Sequence, residues 1–131
     1  MPPIRILLAD DNDEILAEVR ELLEKEFEII GTVTNGQDAV EAVRLFDPDV
    51  VVMDIAMPVL DGIEALERIR KINAHTKILF LTIQEANEYI SRAFSVGASG
   101  YVTKRRLLSD LAHGIREVAQ GRIFLSPSLH G

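Results

Sequence analysis

An α/β fold, with a parallel sheet covered by helices on both sides, follows from three features of this sequence. Short apolar runs alternate with longer segments of helical period, five of each. The runs are apolar on both faces, as strands buried between two helical layers require. Turn and cap residues stand at the joints, so each run is a separate element and not part of one long helix.

The elements read in order as follows. Ile4 to Ala9 is the first strand, and Ile15, Leu16, Val19, Leu22 and Leu23 then fall on one helical face. Glu28 to Val33 is the second strand. Asn35-Gly36 is a turn signal, after which Ala39, Val40, Val43 and Phe46 keep helical spacing. Val50 to Met53 is the third strand, bracketed by Pro48 and Pro58. Asp61-Gly62 follows, with Asp61 placed to cap a helix whose apolar positions, Ile63, Leu66, Ile69 and Ile72, lie three apart. Lys77 to Leu81 is the fourth strand; Ala86, Ile90, Ala93 and Phe94 mark a weaker helix ending at Gly97. Tyr101 to Thr103 is the fifth strand. Leu108, Leu111, Ile115 and Val118 complete the last helix, and Gly121 stands where a C-terminal cap belongs.

Composition narrows the class. A chain of 131 residues, 47% hydrophobic and 27% charged, suits one domain with its own core and is too apolar for disorder. Cysteine is absent and His75, His113 and His130 are scattered, so a metal would have to be held by oxygen. No apolar run approaches the roughly 20 residues that span a bilayer, and the N-terminus shows no secretory signal; a cytoplasmic protein is expected. The net charge of −7 is uneven: residues 1 to 61 hold 15 acids and 4 bases, residues 104 to 131 hold 2 acids and 5 bases. Such a surface repels nucleic acid over most of its area, and the short basic end has no DNA-reading motif.

Right-handed crossovers place the C-terminal ends of parallel strands on one edge, where open α/β sheets bind ligands. Asp10 and Asp11, Asp54, Thr82 and Lys104 each follow or end a strand and so converge there. Taken singly they have plain readings. Asp10 to Asp13 make a solvated helix-capping turn, Thr82 is a strand-end hydroxyl, and Lys104 is a surface charge. Asp54 resists such a reading, because it ends an apolar run where an ionised carboxylate is costly without a positive partner. Lys104 precedes a helix N-terminus, an unfavourable place for a cation unless a carboxylate faces it. Together, three crowded carboxylates suit a hard divalent cation such as Mg²⁺, and Lys104 adds a fixed positive charge. A carboxylate so placed is equipped to accept a phosphoryl group. Thr82 has a hydroxyl suited to bond a phosphoryl oxygen, and Tyr101 stands close enough along the chain to move with its neighbour.

Asp10-Asp11, Asp54-Ile55-Ala56-Met57-Pro58 with Asp61-Gly62, Leu81-Thr82 and Gly100-Tyr101-Val102-Thr103-Lys104 stand in the order and spacing of a family's motifs. On these residues the chain resembles the receiver domain of two-component response regulators over nearly its whole length. The resemblance implies a flavodoxin-like five-stranded sheet of order 2-1-3-4-5 with five helices, and Asp54 as the phosphoacceptor for a sensor histidine kinase. It implies Mg²⁺ held by Asp11, Asp54 and the Ala56 carbonyl, with Asp10 acting largely through a metal-bound water. Lys104 would contact the phosphoryl group, and Thr82 and Tyr101 would form the switch, the tyrosine moving into space the threonine vacates.

The ending Ala119 to Pro127 resembles the exit from the last helix in regulators of the NarL and LuxR type. Residues 1–121 are therefore expected to be the receiver domain and 122–131 the start of a linker or tail. A helix-turn-helix effector outside this chain would be the only route to DNA, and phosphorylation would alter pairing with that domain or with a second copy. A stand-alone receiver or phosphorelay intermediate is the alternative. Arg105 stands where many receivers have proline, Ile83 is bulkier than the usual alanine or glycine and narrows the approach to Asp54, and Ala56 offers no side chain to orient an attacking water. Slow loss of the phosphoryl group is expected. An aspartyl-phosphate phosphatase wants a second acid two positions beyond its nucleophile, where Ala56 stands; an inert receiver-like module would not need the intact acid set. A flavin module would want glycines or hydroxyls in place of Asp10 and Asp11.

Overall fold

The computed structural model describes residues 2–130. Strand β1 (Arg5–Ala9) leads to helix α1 (Asp13–Leu23), β2 (Glu28–Val33) to α2 (Gly36–Phe46), and β3 (Val50–Met53) to α3 (Gly62–Ile72). Then come β4 (Lys77–Thr82), α4 (Asn87–Ser95), β5 (Gly100–Thr103), a 3-10 turn (Lys104–Arg106), α5 (Leu107–Ala119) and β6 (Phe124–Leu125). Every strand pairing is parallel, and the sheet order is β2-β1-β3-β4-β5-β6.

The five expected strands and five expected helices are all present, in the expected order. Among the described residues the sheet has six strands, which corrects the expected five. Phe124 and Leu125 pair with Gly100 and Tyr101, within a segment read as linker or tail. Two residues carry no period, so this strand has no sequence signature of its own. Packing holds it: Phe124 meets the ring of His113 edge-on with centroids 5.4 Å apart, and the absence of a side chain at Gly114 makes the room.

The alternation of side chains along each strand divides the core into two layers. Ile6 and Leu8 of β1, Val50 and Val52 of β3, and Leu79 and Leu81 of β4 point to one side, where Leu16, Val19 and Leu23 of α1 and Leu111, Ile115 and Val118 of α5 cover them. Leu7, Val51, Met53, Ile78 and Phe80 point to the other, under Ala39 and Val43 of α2, Ile63, Leu66 and Ile69 of α3, and Ile90 and Ala93 of α4. Strands β3 and β5 are buried throughout and β4 from Ile78 onward, which is why they read as apolar runs.

The helix ends follow from side-chain chemistry. Asn12, Asn35 and Asp61 cap α1, α2 and α3 by accepting from backbone N–H groups one turn into each helix. Gly121, with φ of 85°, ends α5: its N–H donates to the Val118 carbonyl and the Arg122 N–H reaches back to Glu117.

One loop is strained. Val59 has φ of 69°, and the Leu60 N–H donates to the Pro58 carbonyl across it at 2.7 Å, which makes Val59 the centre of a γ-turn of the rare hand. A β-branched residue there is a true outlier, and at 81% exposed it gains no packing in return. The left-handed conformation costs an L-residue roughly 1–2 kcal/mol, and glycine's extra chain entropy offsets part of that gain. Val59→Gly is therefore expected to stabilise the domain by about 0.5–1 kcal/mol and to raise the thermal midpoint by about 2–4 °C; a lowered midpoint would contradict the strain.

Candidate functional site

Backbone register brings the acids together. Ala9 of β1 pairs with Met53 of β3, and the Asp54 N–H donates to the Ala9 carbonyl at 3.0 Å, so the residues that leave the two strands stand side by side. Those residues are Asp10 and Asp54, with only 4% and 6% of their surfaces exposed. Asp11 follows on the exposed loop, and one oxygen from each of the three carboxylates lies within 4.8 Å of the others.

Lys104 leaves β5 two strands away and reaches back over the sheet edge. Its Nζ lies 2.9 Å from Oδ2 of Asp10 and 2.9 Å from Oδ2 of Asp54. This meets the expectation that a carboxylate faces it, and two do. Burial alone would lower the lysine's pKa, but the hydrogen bonds it donates to Asp10 and Asp54 outweigh it and hold the ammonium above the usual lysine range. Burial pushes the Asp10 carboxyl up; the Lys104 and Asn12 hydrogen bonds pull it back, and the charge of Asp54 adds to the rise. The other oxygen of Asp54, Oδ1, accepts from the Ile55 N–H at 2.7 Å, which fixes the plane of the carboxylate. Gly62 keeps the floor thin: a Cβ there would collide with the backbone of Asp54 and Ile55.

The remaining expected residues sit around this centre without touching it. Thr82 ends β4 fully buried, and its Oγ1 accepts from the Gln84 N–H at 3.3 Å. Ala56 is exposed on the loop after Asp54, and Ile83, at 70% exposed, turns to solvent. Tyr101 stands on β5. Its ring already lies inward, fully buried between Phe80 and Phe94, and its hydroxyl donates to the Gln84 carbonyl at 2.7 Å. Burial raises its phenol well above the usual range.

A second cluster escaped the sequence reading. Glu85 accepts from Thr103 Oγ1 at 2.7 Å and from Arg105 Nε and Nη2 at 2.7 and 3.0 Å, tying the loop after β4 to the segment after β5. The Arg105 and Thr103 hydrogen bonds hold the Glu85 carboxyl down at about 2. The lowered value means this tie is complete above the ordinary glutamate pKa and is lost as pH falls from about 4.5 toward 2. A lone glutamate in a polar loop carries no pattern; the only signal was Arg105, noted as a departure without a partner.

The acid set fits a hard divalent cation. It offers only carboxylate oxygens, it includes one exposed and two buried acids, and the single lysine leaves it net negative. Asp10, Asp11 and Asp54 are the side chains that would hold such an ion.

Comparison with known proteins agrees with this geometry. Residues 6–116 match the model of the response regulator receiver domain. The chain is 43% identical over 100 residues to the chemotaxis protein CheY of Halobacterium salinarum, covering 76% of this chain and 83% of that protein. It is 36% identical over 128 residues to the transcriptional regulatory protein YvfU of Bacillus subtilis, covering 96% of this chain and 64% of that one. To the response regulator UvrY of Escherichia coli it is 33% identical over 128 residues, covering 96% of this chain and 59% of that one. The chain thus spans less than two thirds of these two regulators. A two-component response regulator of the LuxR family from Aurantimonas sp. superimposes with a TM-score of 0.93 at 32% identity, covering 97% of this chain and 92% of that one.

Proposed function

The chain belongs to the response regulator receiver family, and from that premise we propose that Asp54 accepts a phosphoryl group from a sensor histidine kinase and thereby switches an output. The observation that carries this reading is the placement of Lys104 Nζ 2.9 Å from both Asp10 and Asp54, within a cluster of three carboxylates. A carboxylate oxygen of Asp54 forms the new bond to phosphorus as the P–N bond of the donor's phosphohistidine breaks, the electron pair staying on the imidazole nitrogen. Lys104 is already positioned to neutralise charge on the transferring oxygens. The Ile55 N–H keeps the nucleophile aimed. A Mg²⁺ ion held by Asp10, Asp11, Asp54 and the Ala56 carbonyl would supply further charge neutralisation.

Thr82 and Tyr101 are the switch residues in this reading. The Thr82 hydroxyl accepts one hydrogen bond and keeps its own proton free to donate to a phosphoryl oxygen. Movement of Thr82 is passed to the loop that holds the Tyr101 hydroxyl, through Gln84. Residues 1–121 form the receiver domain, and 122–131 lead toward a linker that stays fastened to the switch strand: the Ser126 N–H donates to the Tyr101 carbonyl at 2.9 Å. The output is a transcription-regulating domain beyond this chain, which would make the contact with DNA. Likeness to transcriptional regulators supports this; the stand-alone receiver is favoured by likeness to the chemotaxis protein. The chain turns over no outside substrate, since no second acid stands two positions beyond Asp54, and phosphorylation by a kinase in this way belongs to the cytoplasm.

Incubation with Mg²⁺ and a small acyl phosphate, followed by mass measurement, is expected to show the gain of one phosphoryl group per chain. No gain would sink the reading, and turnover of many donor molecules per chain would turn it toward an enzyme. The loaded group should persist, because Ala56 cannot orient water. Ala56→Asn is expected to shorten its half-life several-fold; a parent chain that loses the group faster than the variant would contradict this.

A further inference from the structure

We propose that the segment 124–129 is a strap coupled to the phosphoacceptor site, with Ser126 positioning the end of β5 from which Lys104 departs. Ser126 lies beyond the last long helix, yet it is fully buried. Stretches of this kind fray unless something ties them down, and bonds along β5 tie this one. The Phe124 N–H donates to the Ser99 carbonyl and the Ser126 N–H to the Tyr101 carbonyl, each at 2.9 Å. The Thr103 N–H then donates to Ser126 Oγ at 3.4 Å. Strand β6 stops at Leu125 and Pro127 follows, so a hydroxyl takes the place of the next backbone acceptor and keeps a buried N–H paired.

Thr103 is where the strap meets the site. Its hydroxyl donates at 2.7 Å to Glu85, the carboxylate that also holds Arg105. Its backbone pairs with Thr82 across β4 and β5, and the next residue is Lys104, whose ammonium reaches Asp10 and Asp54. One residue thus has the strap on one side and both Thr82 and Lys104 on the other. The apolar residues of the strap grip the same region: Leu125 and Leu129 pack against the layer that holds the Tyr101 ring, and Phe124 against the opposite layer. A strand that only closed the sheet edge would need backbone pairing alone.

The inference deepens the receiver reading and rests on it for its direction. A phosphoryl group on Asp54 that engages Lys104 and Thr82 restrains the residue after Thr103 and the residue paired with it, so the bonds from β5 to the strap open less often. A loosened strap leaves Thr103, and with it Lys104, less well placed, and slows loading. In this way the state of Asp54 is written into how firmly the segment leading toward the output is held.

Hydrogen exchange of the full chain, before and after loading with the acyl phosphate and Mg²⁺, tests this at the N–H groups of Phe124 and Ser126. Loading should slow their exchange roughly fivefold or more, and Asp54→Asn treated alike should show no change. Ser126→Ala keeps the backbone bond to Tyr101 and removes only the hydroxyl. It should gain the phosphoryl group several-fold more slowly, while its Mg²⁺ affinity, set by the acids, matches the parent's. In the unloaded chain, Glu85→Ala should speed exchange at Ser126 several-fold, because Thr103 loses its second anchor. Equal exchange in loaded and unloaded chains, or a Ser126→Ala variant that loads at the parent's rate, overturns the proposal and leaves the strap as a cover for the sheet edge. Failure of the parent to gain a phosphoryl group counts against the receiver reading alone. The Glu85→Ala comparison then decides the coupling, and unchanged exchange there overturns it.

Discussion

Asp54→Asn is expected to abolish phosphoryl gain while leaving the fold intact. The amide keeps the shape of the carboxylate, and its oxygen can still accept from the Ile55 N–H that holds the parent side chain at 2.7 Å. What is lost is the nucleophile: an amide oxygen does not form a stable phosphoryl bond, and Asp10 is engaged at Oδ2 by Lys104 and at Oδ1 by the Asn12 N–H. The charge balance moves as well. With Asp54 neutral, Lys104 faces one buried carboxylate; Asp10 is still raised by burial, but the smaller rise from the charge of Asp54 is removed. Stability should thus change by less than about 1 kcal/mol, since a pair of charges remains matched, while affinity for Mg²⁺ falls at least tenfold through loss of an anionic ligand. Mass measurement after incubation with the acyl phosphate and a denaturation curve with and without Mg²⁺ read both effects. A variant that still gains one phosphoryl group would move the acceptor to another residue.

Much of this is legible in the sequence. Val50 to Met53 could be read as a buried strand because both of its faces are covered, and Asp54 drew notice because a charge ends that run. Asn12 and Asp61 sit at helix starts where their side chains must accept from the backbone, so caps and site share the same loops. The residues that escaped notice have a common physical cause. Strand β6 is too short for a period, and the Glu85 tie joins loops whose proximity exists only after β4 and β5 pair. The inward setting of Tyr101 depends on the carbonyl of Gln84 and on the space between two phenylalanines. Such details are fixed by three-dimensional neighbours, and residue type at one position does not encode them.

Lys104→Met should be the most destabilising single change at the site. Lys104 holds two carboxylates that are themselves nearly buried, with side-chain exposures of 5% and 7% against its own 13%. Removing the ammonium leaves Asp10 and Asp54 facing each other without compensation, and breaking a buried ion pair in this way costs about 3–5 kcal/mol. The open rim beside Asp11 admits water and protons, so a loss of roughly 2–3 kcal/mol at neutral pH is expected in the presence of a chelator. The pH dependence distinguishes electrostatics from lost packing. In the parent, the raised lysine pKa means its contribution is complete below the ordinary lysine value of 10.5 and is lost as pH rises through the higher folded value. In the variant, the two carboxyls lose their counter-charge, and Asp10 is already raised by burial. The folded pKa of Asp10 then lies further above its unfolded value, so the penalty is full at neutral pH and is relieved as pH falls through the folded value toward the ordinary 3.8. Parent and variant should therefore converge in stability as the solution is acidified. Adding Asp10→Asn to Lys104→Met should restore about half the loss at neutral pH, because one of two unpaired charges is gone. Denaturation with urea across the pH range measures all three chains, and a gap between parent and variant that stays constant down to pH 4 would mean that the lysine acts through its methylenes and not through its charge.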